Sequence, residues 1–264
     1  MANIRSKAKK PRTETDGRNG KIFYLDFLTP AQKLAYSVYQ ENDIIFLVGP
    51  AGTGKTHLAV GFALQEMLAS TKERLVLTRP IVEAGESLGF LPGTFNEKVD
   101  PYMTPLYDCL SKMVGRDGPQ RQFIEENTEV APLAYMRGRT MENCVCVLDE
   151  AQNCSFEQLV LFMTRMGTNS KMIITGDPMQ SDLFASGQVP LSKMIESVGM
   201  VEGIGVVEFP EKYIVRHPLV SRLLKKLREL KEQREGGTPP PPREQAFGEG
   251  IEPAPVGPYA IRPE

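Results

Sequence analysis

The run IIFLVGPAGTGKTHLA, Ile44 to Ala59, constrains this chain more than any other stretch. Five apolar residues lead into Gly49-Pro50-Ala51-Gly52-Thr53-Gly54-Lys55-Thr56, which matches G-x-x-x-x-G-K-[ST] in full, and a helical segment follows at Thr56. Glycines let backbone N–H groups curl around a phosphate with no Cβ in the way, and a helix N-terminus adds its partial positive charge. Lys55 has the reach for the β- and γ-phosphates of a nucleoside triphosphate, and the Thr56 hydroxyl suits Mg²⁺. Gly49 through His57 are therefore the expected nucleotide-binding residues.

Four further apolar runs read as strands: Leu75–Arg79, Cys144–Leu148, Met172–Thr175 and Val206–Phe209. Most are apolar throughout, as in strands of a parallel sheet covered on both faces. Helical patterns lie between several of them. One starts at Asp100-Pro101, read as N-cap and first helical position, with Tyr102, Leu106, Leu110 and Met113 spaced three or four apart. Another starts at Ser155-Phe156-Glu157-Gln158, a capping-box pattern, and is expected to stop at Gly167. A last one runs from about Leu219 to Arg234. The alternation predicts a doubly wound α/β fold with a mostly parallel sheet flanked by helices. The stretch from Glu83 to Thr140 is long for one crossover and reads as a helical excursion from the sheet.

Two strand ends carry chemistry. CVCVLDEAQN sets Asp149 and Glu150 just past a buried strand, where a carboxylate beside a phosphate loop holds Mg²⁺. Asp149 fits that role, and Glu150 fits the base that orients and deprotonates an attacking water. KMIITGDPMQ repeats the arrangement one strand later. Gly176 permits a close backbone approach, and Asp177 and Gln180 bring polar groups to the same sheet edge, Gln180 within reach of a γ-phosphate or the water. Gly-Asp-Pro also suits a plain surface turn.

Charge and composition bound the rest. The 264 residues are 41% hydrophobic, enough for one large core, and the net charge is −2, so bulk charge gives no case for nucleic-acid binding. Cys109, Cys144, Cys146 and Cys154 show no second pair at zinc spacing and read as reduced thiols. No run is long and apolar enough for a membrane span, and no secretory leader is visible, so a cytoplasmic protein is expected. Residues 1–21 are polar and begin basic, and residues 235–264 are rich in Pro and Gly; both are expected to be disordered, leaving one folded unit over residues 22–234.

In order along the chain, GPAGTGKT, Thr78-Arg79-Pro80, DEAQN and GDPMQ resemble the motifs of the first motor domain of superfamily-one helicases. More specifically, RPIVEAGESLGFLPG, EKVDPYMTPLYDCL and VRHPLV resemble the PhoH-like ATPases, over about Leu28 to Leu230. The resemblance implies a RecA-like fold, ATP with Mg²⁺, association with RNA or single-stranded DNA, and a homo-oligomer such as a hexameric ring. It implies adenine contact for Gln32, although Thr29-Pro30-Ala31-Gln32 is equally a helix capping box. It implies nucleic-acid contact for Thr78 and Arg79, and charge stabilisation at the γ-phosphate for Arg216, whose rival role is a structural ion pair. His217 reads as a companion before Pro218. Unlike full helicases, the chain is expected to hold one motor domain, so that either a neighbouring subunit is expected to supply the second face or no unwinding is expected. On the last helix Leu219, Leu223, Leu227 and Leu230 form a stripe, with Arg222, Lys225, Lys226 and Arg228 beside it as either a backbone-binding or a merely solvated face. Two other functions fit the same motifs: a P-loop kinase of a small metabolite, and a nucleotide-gated RNA-binding protein with little turnover.

Overall fold

A computed structural model describes residues 25–81, 94–114, 119–179 and 191–214, with 219, 220, 222, 223 and 226. The N-terminal arm, the C-terminal tail, Gln180, Arg216, His217 and much of the last helix lie outside the described residues. The chain divides into two compact units, Met1–Val215 and Arg216–Glu264. In the second, the described residues are helical, and Leu219 and Leu223 are exposed.

The described residues of the first unit contain six strands: β1 Ile44–Val48, β2 Arg74–Arg79, β3 Thr128–Pro132, β4 Cys144–Leu148, β5 Lys171–Gly176 and β6 Ile204–Glu208. They pair in the order β3-β2-β4-β5-β1-β6, every pairing parallel. Alternate residues feed two layers. Ile45 and Leu47 of β1 join Val145 and Val147 of β4 against the helices α1 (Pro30–Glu41), α2 (Lys55–Leu68) and α3 (Phe95–Val114). Phe46, Cys146, Leu148 and Ile174 face the other way, onto α5 (Phe156–Met163) and α6 (Leu191–Val198). This is the doubly wound α/β arrangement that the alternating strands and helices predict, and the RecA-like fold that the resemblance implies. β5 stands between the phosphate-loop strand β1 and the acidic strand β4, so their C-terminal ends open a gap at one sheet edge.

Three expectations change. The excursion between β2 and β4 contains α3 and α4 (Pro119–Glu126), then returns to the sheet as the edge strand β3. TEVAP escapes recognition because it is short, carries Glu129 and ends in proline, all tolerable only at an edge. Second, α3 begins at Phe95, with Thr94 as its cap: Glu97 N–H donates to Thr94 Oγ1 (3.4 Å), and Thr94 N–H donates to Glu97 Oε2 (2.7 Å). Asp100 is thus inside the helix, along with Pro101 and Pro105. Both prolines are exposed, so the carbonyls they leave unbonded can turn to water, while Val99, Met103, Leu106 and Leu110 are buried on the other side. Third, α5 ends at Met163, four residues before Gly167, although its capping box at Ser155 and Gln158 forms as predicted.

Cys144, Cys146 and Cys154 are buried free thiols and Cys109 is partly buried. Among the described residues no cluster of three metal-ligating side chains occurs, and no helix is long and apolar enough to cross a membrane.

Candidate functional site

The phosphate loop leaves β1 and closes onto the first turn of α2, whose N-cap is Gly54 in the left-handed region, φ 86°. Gly49 has no substitute: φ is 138°, and a Cβ there would stand 2.4 Å from the Phe209 carbonyl oxygen. The Gly49 N–H donates to the Gly176 carbonyl (3.1 Å), tying the loop to the end of β5. Lys55 is buried, and its ammonium donates to the carbonyls of Gly49 (2.6 Å) and Pro50 (2.9 Å). The cation thus already stands inside the loop it serves. Thr53 Oγ1 donates to the Pro50 carbonyl (3.0 Å) and braces the loop from within.

A cleft of about 250 Å³ opens at this edge. Ala51, Gly52 and Gly54 to His57 of the loop, Asp149, Glu150 and Gln152 after β4, and Thr175 to Asp177 around the end of β5 line it. Asp149 is 5% exposed. Its Oδ1 accepts from Thr56 Oγ1 (2.7 Å) and from Thr175 Oγ1 (2.5 Å), and its N–H donates to the Thr78 carbonyl (2.9 Å). A buried carboxylate touching the hydroxyl of the phosphate-loop threonine is a set of hard oxygen donors, which fits Mg²⁺ completed by phosphate oxygens and water. Glu150 has left-handed backbone, φ 59° and ψ 43°, which turns the chain sharply at the cleft. One of its oxygens lies 3.4 Å from Arg79 Nη2, and the other accepts from Gln152 Nε2. His57 is exposed in the first turn of α2, and partial desolvation holds its imidazole below the ordinary 6.5. Behind the site, burial and the nearby Asp149 carboxylate push the Cys109 thiol of α3 up to about 11, so this thiol stays protonated.

Gln32 is buried between two tasks. Its Oε1 accepts from the N–H groups of Leu28 (2.6 Å) and Thr29 (3.2 Å), completing the capping box of α1, and its Nε2 donates to the Thr53 carbonyl (3.4 Å) of the phosphate loop. The cap reading of this residue is therefore realised, and the cap abuts the loop. Thr78 needs correction as a nucleic-acid contact: it is 0% exposed at the end of β2 and offers a polymer no surface. Arg79 reaches the rim of the cleft. Gln180 and Arg216 lie outside the described residues.

Sequence reasoning missed two residues. Thr175 passed as strand filler, yet it is the hydroxyl on Asp149; one polar residue closing an apolar strand beside a phosphate loop was the available signal. Gln152 is 6% exposed and bridges the ends of β4 and β5, a role no motif spacing reveals.

A family model described as PhoH-like protein matches residues 24–228, well over half of the chain. The chain belongs to the PhoH-like family. The PhoH-like protein of Bacillus subtilis (strain 168) is 45% identical over 207 residues, 78% of this chain and 65% of that one. Protein PhoH of Escherichia coli (strain K12) is 40% identical over 187 residues, 70% of this chain and 53% of that one. This PhoH-like chain thus spans between about half and two thirds of the length of these two relatives. Among solved structures, the large terminase of bacteriophage HK97 superposes with a TM-score of 0.51 at 14% identity, over 80% of this chain and 49% of that one. At that identity the likeness concerns the fold alone.

Proposed function

We propose that this PhoH-like protein is a Mg²⁺-dependent ATPase whose hydrolysis is coupled to RNA or single-stranded DNA, acting in the cytoplasm as a homo-oligomer. One observation carries the ATPase reading: the phosphate loop, the Thr56–Asp149 contact and the Glu150 carboxylate converge on a single cleft. A kinase of a small metabolite needs the loop and the metal carboxylate, but has less use for a second acid one residue on. A nucleotide-gated scaffold has no use for a base at all.

In this reading Gly49 through His57 surround the phosphates, and Lys55 exchanges two loop carbonyls for the β- and γ-phosphate oxygens. Thr56 and Asp149 hold Mg²⁺, which when bound neutralises charge on the β- and γ-phosphates. Glu150 accepts a proton from water as the water oxygen attacks the γ-phosphorus and the bond to the ADP oxygen breaks, giving ADP and phosphate. Gln180 contacts the γ-phosphate or the water, and Arg216 stabilises charge there, from the same subunit or a neighbouring one. Gln32 supports the loop at the adenine side. Arg79, at the rim, meets the polynucleotide backbone; its guanidinium is well suited to phosphate.

The test is steady-state ATP hydrolysis with Mg²⁺, with and without single-stranded RNA and DNA, beside Lys55→Ala and Glu150→Gln. The expected result is stimulation by polynucleotide, loss of nucleotide binding and turnover in Lys55→Ala, and retained binding with turnover cut to a slow residual rate in Glu150→Gln. Unchanged turnover in Glu150→Gln removes the base from its role. Hydrolysis indifferent to both polymers leaves the ATPase and ends the coupling.

A further inference from the structure

Glu150 reaches into the cleft from a turn, and a carboxylate on a turn needs fixing before it can aim at one water. The ion pair with Arg79 is one long contact, 3.4 Å, between side chains that are both partly exposed. The second contact is different in kind. Gln152 stands on the short 3₁₀ turn Ala151–Asn153 immediately after Glu150 and is 6% exposed. Its Nε2 donates to Glu150 Oε2, while its Oε1 accepts from the backbone N–H of Asp177 (3.0 Å), just past the end of β5. Gly176 leaves the room: a Cβ on it would stand 3.1 Å from Gln152 Oε1 and 3.3 Å from Gln152 N. One buried amide thus joins the carboxylate after β4 to main chain after β5, and a residue without a side chain makes space for it.

An amide neither takes a proton from water nor gives one up near neutral pH, so Gln152 has no acid or base role of its own. What it supplies is direction. A catalytic group misplaced by about an ångström can lose on the order of 100-fold in rate. We propose that Gln152 is the positioning residue for Glu150, holding the carboxylate toward the cleft and locking it to the strand end that carries Asp177. The inference rests on the reading of Glu150 as the base.

Two variants separate the halves of the bridge. Gln152→Ala removes both contacts. Gln152→Glu keeps an oxygen for the Asp177 N–H but sets a carboxylate against Glu150. Both are expected to lower kcat for ATP about 10- to 100-fold while KM stays within about twofold. In a Glu150→Gln background, Gln152→Ala is expected to cause no further loss in single-turnover rate, because the group it aims is already gone. Asp177 amide exchange gives a readout independent of turnover: protection is lost in Gln152→Ala and kept in Gln152→Glu. An unchanged kcat in both variants, or a further fall in the Glu150→Gln background, overturns the proposal. If the parent protein hydrolyses no ATP, the ATPase reading fails by itself. Amide exchange then still decides whether the bridge exists, and unaltered Asp177 exchange in Gln152→Ala ends it.

Discussion

At the scale of single residues, the decisive feature is that Asp149 accepts two hydroxyl hydrogens on one oxygen, from Thr56 (2.7 Å) and Thr175 (2.5 Å). Thr56 has a motif to announce it. Thr175, 1% exposed, has only its place at the end of β5. A hydrogen bond to a buried charged group is worth about 1.5–3 kcal/mol, and its loss leaves the carboxylate short of a donor. Thr175→Val keeps the volume and removes the hydroxyl. It is expected to cost about 1–3 kcal/mol in chemical denaturation, and to weaken the Mg²⁺ dependence of nucleotide binding, because Asp149 loses one of the contacts that orient it. Full stability and an unchanged Mg²⁺ titration would show that Thr56 alone holds Asp149.

At the scale of elements, helix starts follow local rules and one interior breaks them. α1 and α5 begin at capping boxes legible in the sequence, Thr29 to Gln32 and Ser155 to Gln158. α3 has an equally legible box at Thr94 and Glu97, but Asp100-Pro101 imitates a start six residues later. Tertiary packing overrides that signal: Val99 is 5% exposed, so the helical turn ahead of Pro101 earns its place by burying apolar surface. A proline in a helix interior costs about 3 kcal/mol relative to alanine. Since Pro101 and Pro105 are both exposed, Pro101→Ala and Pro105→Ala are each expected to stabilise the protein. The gain should be about 1–3 kcal/mol, read from the denaturation midpoint, after the loss of proline's restraint on the unfolded chain is subtracted. A fall in stability would mean that these prolines bend α3 into a shape its packing requires.

At the scale of the whole molecule, six parallel strands need two covered faces and two managed edges. β3 closes one edge, and a bidentate ion pair holds it to the chain that leads into β4: Arg139 donates to Glu129 Oε1 (2.5 Å) and Oε2 (2.7 Å). The hydrogen-bonded Arg139 guanidinium holds the Glu129 carboxyl below its ordinary 4.5. A depressed carboxyl contributes stability that is present above the unfolded value and disappears as pH falls through 4.5 and then through the depressed folded value. Both side chains are about a third exposed, so solvent limits the contribution to about 1 kcal/mol. Glu129→Gln is expected to lose that amount near neutral pH and to show a shallower fall in stability as the pH drops below 4.5. Matching acid limbs for the two proteins would mean that the pair is energetically idle.

What the sequence determined by itself was whatever depends on neighbours along the chain. The glycine turn between an apolar strand and a helix specifies a phosphate loop, five of the six strands are readable as apolar runs, and Lys55, Thr56, Asp149 and Glu150 stand in the cleft where their motifs put them. What only the tertiary structure decided were relations across the sheet. The insertion of β5 between β1 and β4 sets Thr175 against Asp149, 26 positions away, and the packing of β2 beside β4 sets Arg79 near Glu150. The same packing buries Thr78, which its motif suggested as a surface contact. Gln152 belongs to this second class, since its meaning depends on a backbone N–H 25 residues further on and on the absence of a side chain at Gly176. The physical reason is one of range. Backbone conformation answers to residues three or four apart, whereas the direction of a charged side chain answers to whichever donors the folded sheet brings within hydrogen-bond distance.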